Sequence, residues 1–177
     1  DVTAVADSPT APDRDVEINE DSGLTRIDLL TSSSDVDGDP ITLDNITVNA
    51  LHGTVTLSAD LTSAEYTPNP DFFGADAFTY EISDDTNLTA TGLISIEVVG
   101  QNDAPVANAA QKTIDEDSVG QIDLAVFSSH VDQDDLTYSI DASNLATLNG
   151  SVVTFNPATN FNGDAVFTYT VFDADTI

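Results

Sequence analysis

The side chains of this sequence that could do chemistry are carboxylates, and several of them fall in segments with the composition of turns. Asp35, Asp37 and Asp39 alternate along a stretch that also contains Gly38 and Pro40. Calcium binds about six to eight oxygens, and irregular turns supply carboxylate and carbonyl oxygens more easily than rigid strands do. Further turn-like segments carry Glu20, Asp76, Asp84 and Asp103. The pattern predicts calcium binding at turns.

The overall charge narrows the classes of partner. Lys and Arg together number 3 against 32 Asp and Glu, which gives a formal net charge of −29. Nucleic-acid binding depends on Lys and Arg at the phosphates, so we expect no nucleic-acid partner. Binding to an anionic membrane surface is disfavoured for the same reason. The sequence contains no run of 18 apolar residues, so it predicts no membrane-spanning helix.

Such acidity is typical of two kinds of chain, disordered segments and domains that load cations. The hydrophobic fraction of 40% and the aromatic fraction of 7% suffice for a small core, which favours a folded chain. The sequence has no Cys, so disulfides and thiolate metal sites are excluded. A bound metal is then the main remaining device for stabilising small secreted domains.

The sequence repeats itself, which places the carboxylates in equivalent positions. Glu-Asp-Ser at 20–22 recurs at 116–118, the segment 35–42 matches 130–137, and the segment 66–84 matches 155–173. We therefore predict one repeat over residues 7–102 and a second over 103–177. Residues 1–6 match the end of a preceding repeat, and the second repeat stops before its last strand, so we expect an excerpt of a longer array.

The local patterns are those of β-strands. Alternating runs such as 77–82 and 93–99 are separated by turn residues at 37–40, 52–53, 68–70 and 149–150. About seven short strands in about 96 residues is typical of an all-β immunoglobulin-like sandwich, here without its Cys and Trp residues. The aromatic residues expected in the two cores are Tyr66, Phe72, Phe78 and Tyr80, then Phe155, Phe161, Phe167 and Tyr169.

Several motifs in combination carry a resemblance to a known family. They are Asp-Val-Asp-Gly-Asp-Pro at 35–40, Gly-Thr-Val-Thr at 53–56, the segment 66–80, and Asn-Asp-Ala-Pro at 102–105. In these the chain resembles the cadherin superfamily, and more closely the bacterial cadherin-like repeats of large surface adhesins, many of the repeats-in-toxin type. The resemblance implies tandem Greek-key immunoglobulin/cadherin-like β-sandwiches, a bacterial cell-surface location, and Ca²⁺ as the bound ion.

The resemblance also implies ligands, because calcium in that superfamily sits between consecutive domains. The junction of the two repeats would use Glu20, Asp76, Asn102, Asp103, Asp132, Asp134 and Asp173. A half-site toward a preceding repeat would use Asp7, Asp35, Asp37, Asp39 and Asp84, and one toward a following repeat Glu116 and Asp164. Gly100 and Ala104 stand where cadherin linkers carry ligands, which implies fewer ions. His130 stands where the first repeat has Asp35, so we expect either a surface histidine or a weaker, more pH-sensitive site.

Other chemistries fit less well. As an EF-hand, the segment from Asp35 would place its glycine at position four and Ile46 at position twelve. The glycine-rich nonapeptide of calcium-binding β-rolls is absent, and so are the common hydrolase, zinc-protease and phosphate-loop motifs. Carboxylate pairs can hydrolyse glycosides, but a catalytic centre is seldom duplicated in adjacent modules. We expect no enzyme.

Two functions of the binding class remain. The repeats could be spacers, stiffened by calcium and by neighbouring repeats of the same chain. Alternatively, the repeats themselves could bind a second copy, a cell-surface partner or a carbohydrate, for which exposed aromatic residues such as Phe73 and Phe127 would be needed. The missing last strand would also leave a sheet edge beside 167–172, open to a strand from another chain. We favour the spacer.

Overall fold

The computed structural model describes residues 5–141 and 146–173, and the chain divides into two compact units. They are Asp1–Gln101, here called the first repeat, and Asn102–Ile177, the second repeat. Every regular element in the described residues is a β-strand except one short 3-10 helix, which confirms the predicted all-β class. Four residues of the predicted preceding repeat, 1–4, lie outside the described residues, as do 142–145 and 174–177.

The first repeat has seven strands. These are β1 (Arg14–Asn19), β2 (Thr25–Asp28), β3 (Thr42–Val48), β4 (Gly53–Leu57), β5 (Ser63–Pro68), β6 (Gly74–Ser83) and β7 (Thr89–Val99). One sheet has the order β1-β7-β6-β3 and the other β2-β5-β4. All pairs are antiparallel except β1 with β7. Because β1 to β2 and β3 to β4 change sheets, the result is a two-sheet sandwich of the immunoglobulin/cadherin kind.

The core of the first repeat lies between its two sheets. Strand β6 buries Phe78, Tyr80 and Ile82 on alternate positions, as the period of a strand requires. Tyr66 of β5 is fully buried among the same cluster. The predicted core positions Tyr66, Phe78 and Tyr80 are thus confirmed. Phe72 is only half-buried, because it lies in the β5–β6 loop.

Two side chains of the first repeat show how closely this core is packed. Phe72 stacks on His52, with ring centroids 4.3 Å apart and planes 5° apart. Gly53 faces the ring of Tyr66 so closely that an added Cβ would lie 2.4 Å from a ring carbon. The His-Gly turn at 52–53 is therefore structural on both counts.

The second repeat has shorter strands. They are β8 (Val106–Ala107), β9 (Gly120–Asp123), β10 (Ser128–Ser129), β11 (Thr137–Ile140), β12 (Ala146–Asn149), β13 (Val152–Phe155) and β14 (Tyr169–Phe172), with the 3-10 helix at Leu124–Phe127. Strands β12, β13 and β9 form one antiparallel sheet, and β11 pairs with β14. These correspond to β4, β5, β2, β3 and β6 of the first repeat. Strand β10 pairs with β8.

The core of the second repeat is smaller, and this corrects the predicted burial of its aromatic residues. Its buried hydrophobic residues are Leu124, Ala146, Val153 and Val171. The four predicted aromatic residues are all partly exposed: Phe155, Phe161, Phe167 and Tyr169. For Tyr169, which lies on β14, the physical reason is the pairing of its strand among the described residues. Strand β6 has ten residues and is paired on both sides, whereas β14 has four and is paired only with β11 among the described strands.

Candidate metal sites

Five carboxylates gather at one end of the first repeat, and we call them its N-terminal cluster: Asp7, Asp35, Asp37, Asp39 and Asp84. Three of them lie on the segment before β3, and Asp84 follows β6. The start of β3 pairs with the end of β6 through Thr42 and Ser83, so the two segments meet. Carboxylate oxygens of Asp35, Asp37 and Asp39 lie within 4.8 Å of one another. The Asp7 N–H donates to Asp37 Oδ2 at 2.9 Å. All five residues of the predicted half-site are therefore brought together.

Asp35 and Asp84 of this cluster each use one carboxylate oxygen to order a loop. The second oxygen of each has no hydrogen-bond donor among the described residues. Asp35 Oδ1 accepts the N–H of Asp37 at 2.8 Å. Asp84 Oδ1 accepts the N–H and hydroxyl of Thr86, both at 2.8 Å, and the N–H of Leu88 at 3.0 Å. Within the described residues, Asp35 Oδ2 and Asp84 Oδ2 are buried and have no hydrogen-bond partner. A buried carboxylate oxygen in that state is costly unless a cation binds it.

The charges in this cluster repel one another. Burial raises the pKa of Asp39, and the nearby carboxylates of Asp85 and Asp35 raise it further. Burial also acts to raise the pKa of Asp84, but the hydrogen bonds from Thr86 and Leu88 outweigh it and hold that pKa below its usual value. The neighbouring carboxylates thus disfavour the charge of Asp39, and a divalent cation would relieve that repulsion.

Glu20 lies at the opposite end of the first repeat, where β1 and β7 finish side by side at Asn19 and Val99. Its side chain is buried, and its Oε1 accepts the N–H of Gln101. Its Oε2 is buried without a hydrogen-bond partner among the described residues. Glu20 is therefore placed at the end from which the chain leaves the repeat, with one oxygen available to a cation.

Asp21 and Asp71 form a further contact at this end, which the sequence motifs did not predict. The Asp71 N–H donates to Asp21 Oδ1 at 3.4 Å, and both residues have left-handed backbones with φ of 56° and 53°. The second repeat repeats the arrangement, because the Asn160 N–H donates to Asp117 Oδ1 at 2.8 Å. The recurrence of Asp21 at Asp117 was a sequence signal for this pair. Asp71 places one more carboxylate at the loop between β5 and β6.

Asp76 has a different environment from the other predicted ligands. Its Oδ1 accepts the N–H groups of Leu51 and Ala77, both at 2.9 Å, and its Oδ2 accepts the His52 N–H at 3.0 Å and the Tyr66 hydroxyl at 2.8 Å. Burial acts to raise its pKa, but these hydrogen bonds outweigh burial and lower it. Both oxygens already bind protein donors, so we assign Asp76 to the β3–β4 turn and leave it out of the proposed calcium ligands.

The second repeat has its own N-terminal cluster: Asn102, Asp103, His130, Asp132, Asp134 and Asp173. Candidate ligand atoms of His130, Asp132 and Asp134 lie within 4.8 Å of one another. The Asp103 N–H donates to Asp132 Oδ2 at 2.9 Å, which reproduces the bond from Asp7 to Asp37. Asp173 is buried and accepts from the Asn102 amide at 3.4 Å.

His130 is built into this cluster rather than lying on the surface. Its side chain is 1% exposed, its Nδ1 accepts the N–H of Asp132 at 3.2 Å, and its Nε2 lies 3.3 Å from Asp173 Oδ2. Burial acts to lower the pKa of His130, but the hydrogen bond to Asp173 and the nearby carboxylates outweigh it and raise the pKa.

Two predicted ligands stand apart from these clusters. Glu116 and Asp164 are exposed, and neither belongs to a group of three potential metal ligands in the part of the chain that the structure describes. Their assignment to a following junction stays a prediction. Among the described residues, no helix is long and apolar enough to cross a membrane.

Comparisons with known proteins agree with the two-repeat sandwich. Over 97% of this chain, protocadherin gamma B2 extracellular cadherin domains 1–5 match with a TM-score of 0.55 and 14% identity. The human desmocollin-1 ectodomain matches over 95% with a TM-score of 0.52 and 10% identity. An endo-fucoidan hydrolase of glycoside hydrolase family 107 matches over 95% with 17% identity, but at a TM-score of only 0.42.

The chain spans 37% and 38% of those two cadherin structures and 27% of the hydrolase, so the likeness concerns the fold of the repeats alone. A comparison with curated protein sequences found no match. The family model described as bacterial Ig domain matches residues 6–97 and again residues 102–176. The chain therefore belongs to the bacterial Ig domain family and carries two copies of that domain with a cadherin-like fold.

Proposed function

We propose that the chain is a calcium-binding structural module from the stalk of a bacterial surface adhesin, of the repeats-in-toxin type that the sequence resembles, with roles in cell adhesion and biofilm formation. The observation that supports calcium most directly is the N-terminal cluster of the first repeat. It combines five carboxylates with two buried oxygens, on Asp35 and Asp84, that have no donor among the described residues. Hard oxygen ligands in this number suit calcium.

The geometry also explains how such a site would be ready for an ion. One oxygen each of Asp35 and Asp84 holds its own loop in place, which fixes the direction of the second oxygen. Binding then requires little further ordering of the chain, so less free energy is lost on association. Because the ion binds the folded cluster, calcium stabilises the folded state by mass action.

The spacer role rests on the repeat organisation and on the family. Two bacterial Ig domains follow one another with hardly a linker between the matched ranges 6–97 and 102–176. Domains of this kind are typically extracellular, where calcium reaches millimolar concentrations, and are typically without enzymatic activity. That an ion is shared between consecutive repeats stays a prediction from the sequence.

Asp39 offers a sharp test of the cluster, because two effects of its neutralisation have opposite signs. Its raised pKa means that its charge destabilises the cluster in the absence of calcium. We expect Asp39→Asn to raise the melting temperature in chelator and to reduce the further rise caused by calcium. The matched control is Glu17→Gln, an exposed carboxylate on β1, which should change neither. Equal calcium responses of Asp39→Asn and the wild type would contradict the proposed site.

A further inference from the structure

The N-terminal clusters of the two repeats share one hydrogen-bonding frame and differ at two positions. Asp7 and Asp103 occupy the same place, and each donates its N–H at 2.9 Å to the matching Asp37 or Asp132. Asp84 and Asp173 also correspond, and both are 4% exposed. The differences are Ala6 against Asn102, and Asp35 against His130.

The exchange of Asp35 for His130 changes the group that fixes the turn at 130–134. In the first repeat, Asp35 Oδ1 accepts the N–H of Asp37 at 2.8 Å. In the second, His130 Nδ1 accepts the equivalent N–H of Asp132 at 3.2 Å. A ring nitrogen that accepts a hydrogen bond carries no proton, so the imidazole proton of the neutral ring is on Nε2.

Both differences change the surroundings of Asp173, the buried carboxylate that follows β14. His130 Nε2 lies 3.3 Å from Asp173 Oδ2 and donates to it. The Asn102 amide donates to the same oxygen at 3.4 Å. The matching oxygen of the first repeat, Asp84 Oδ2, has no hydrogen-bond partner among the described residues. The second repeat thus gives two N–H donors to an oxygen that has none in the first.

We propose that His130, assisted by Asn102, takes the place of one calcium ion in the N-terminal cluster of the second repeat; this rests on the proposed calcium binding. The Nε2–H group binds Asp173 from within the protein, and neither ring nitrogen keeps a lone pair for a metal. The second repeat therefore binds fewer ions at this cluster than the first and depends less on calcium for its stability. His130 is the residue that sets this difference.

Reciprocal exchange of the two residues tests the proposal, with asparagine as the matched control at each position. His130→Asp restores the carboxylate of the first repeat, and we expect about one more calcium ion per chain in a calorimetric titration. It should also lower the melting temperature in chelator, because Asp173 Oδ2 loses the His130 donor, keeps the Asn102 donor and gains a neighbouring carboxylate. His130→Asn should give no additional ion, since an amide adds no charge.

The opposite exchange keeps the test decisive if His130→Asp does not fold. Asp35→His and Asp35→Asn remove the same charge and both carry N–H groups, but only the histidine presents its N–H from the far side of a ring, as His130 Nε2 does toward Asp173. Both should lose calcium bound at the first cluster, and Asp35→His should melt at the higher temperature in chelator. Equal melting of the two, or a His130→Asp chain that binds no more calcium than the wild type, would overturn the role of His130. A wild-type chain that binds no calcium would instead overturn the proposed function.

Discussion

Asp76 accepts a hydrogen bond from the Tyr66 hydroxyl. We predict that removing this hydroxyl lowers the stability of the first repeat and leaves calcium binding unchanged. The Tyr66 hydroxyl is buried and donates to Asp76 Oδ2 at 2.8 Å. A buried hydrogen bond to a charged group contributes about 1.5–3 kcal/mol. We expect Tyr66→Phe to lower the free energy of unfolding of the first repeat by about 2 kcal/mol, or roughly 8–16 °C for a domain of this size.

Asp76→Ala should have the larger effect, because it takes the acceptor from the N–H groups of Leu51 and His52 as well as from Tyr66. Adding Tyr66→Phe to that variant should cost little, since the hydroxyl has already lost its partner. The second repeat contains this double change naturally, with Phe155 and Ala165 at the two positions. The double-mutant cycle should therefore show a coupling of about 1–3 kcal/mol.

The assay is thermal unfolding followed by calorimetry, in chelator and in calcium, for the wild type and the three variants. The expected result is a lower melting temperature in both buffers with the same upward shift on adding calcium. If Asp76→Ala kept the wild-type melting temperature in chelator but lost the calcium shift, Asp76 would be an ion ligand and its assignment to the turn would be refuted.

Three further substitutions test single interactions in the first repeat: a close packing contact, a hydrogen bond and an ion pair. Gly53→Ala places a methyl group against the ring of Tyr66, so a loss of about 1–3 kcal/mol is expected in chemical denaturation. Tyr80→Phe removes a hydroxyl that donates at 3.0 Å to a backbone carbonyl of the N-terminal segment, and should cost about 1 kcal/mol by the same measurement. Arg26→Ala breaks an exposed ion pair with Asp60, and we expect only a small loss of stability, which shrinks further in high salt.

The sequence predicted the features that depend on local patterns. Alternation along β6 identified Phe78 and Tyr80 as core residues, and the spacing of Asp35, Asp37 and Asp39 in a turn identified a carboxylate cluster. Both predictions follow from chain geometry over a few residues. Side chains alternate along a strand, and a turn can bring side-chain oxygens close to one another.

Features that depend on contacts between distant residues cannot be read from local patterns. Asp76 looks like any acidic residue near a turn until the Tyr66 hydroxyl is seen to bind it. The contact of Asp71 with Asp21 joins loops 50 residues apart. Tyr169 of the second repeat has the same place in the sequence pattern as Tyr80 of the first, but burial also depends on neighbouring strands, and β14 has one on one side only in the described residues.

His130 illustrates the same limit in the candidate site itself. The sequence showed that a histidine replaces Asp35, and we expected either a surface side chain or a weaker site. Only the structure shows that the ring is buried and joins Asp132 to Asp173. The direction of each hydrogen bond then changes the interpretation from a poor ligand to a substitute for an ion.

Thermal unfolding of the wild-type chain in chelator and in calcium shows whether the folded chain binds calcium. With calcium at about 100 times its dissociation constant, one bound ion stabilises the folded state by about 2.7 kcal/mol. We expect calcium to raise the melting temperature by roughly 10 °C or more, and excess chelator to reverse the rise. Superimposable melting curves in the two buffers would contradict the proposed calcium binding.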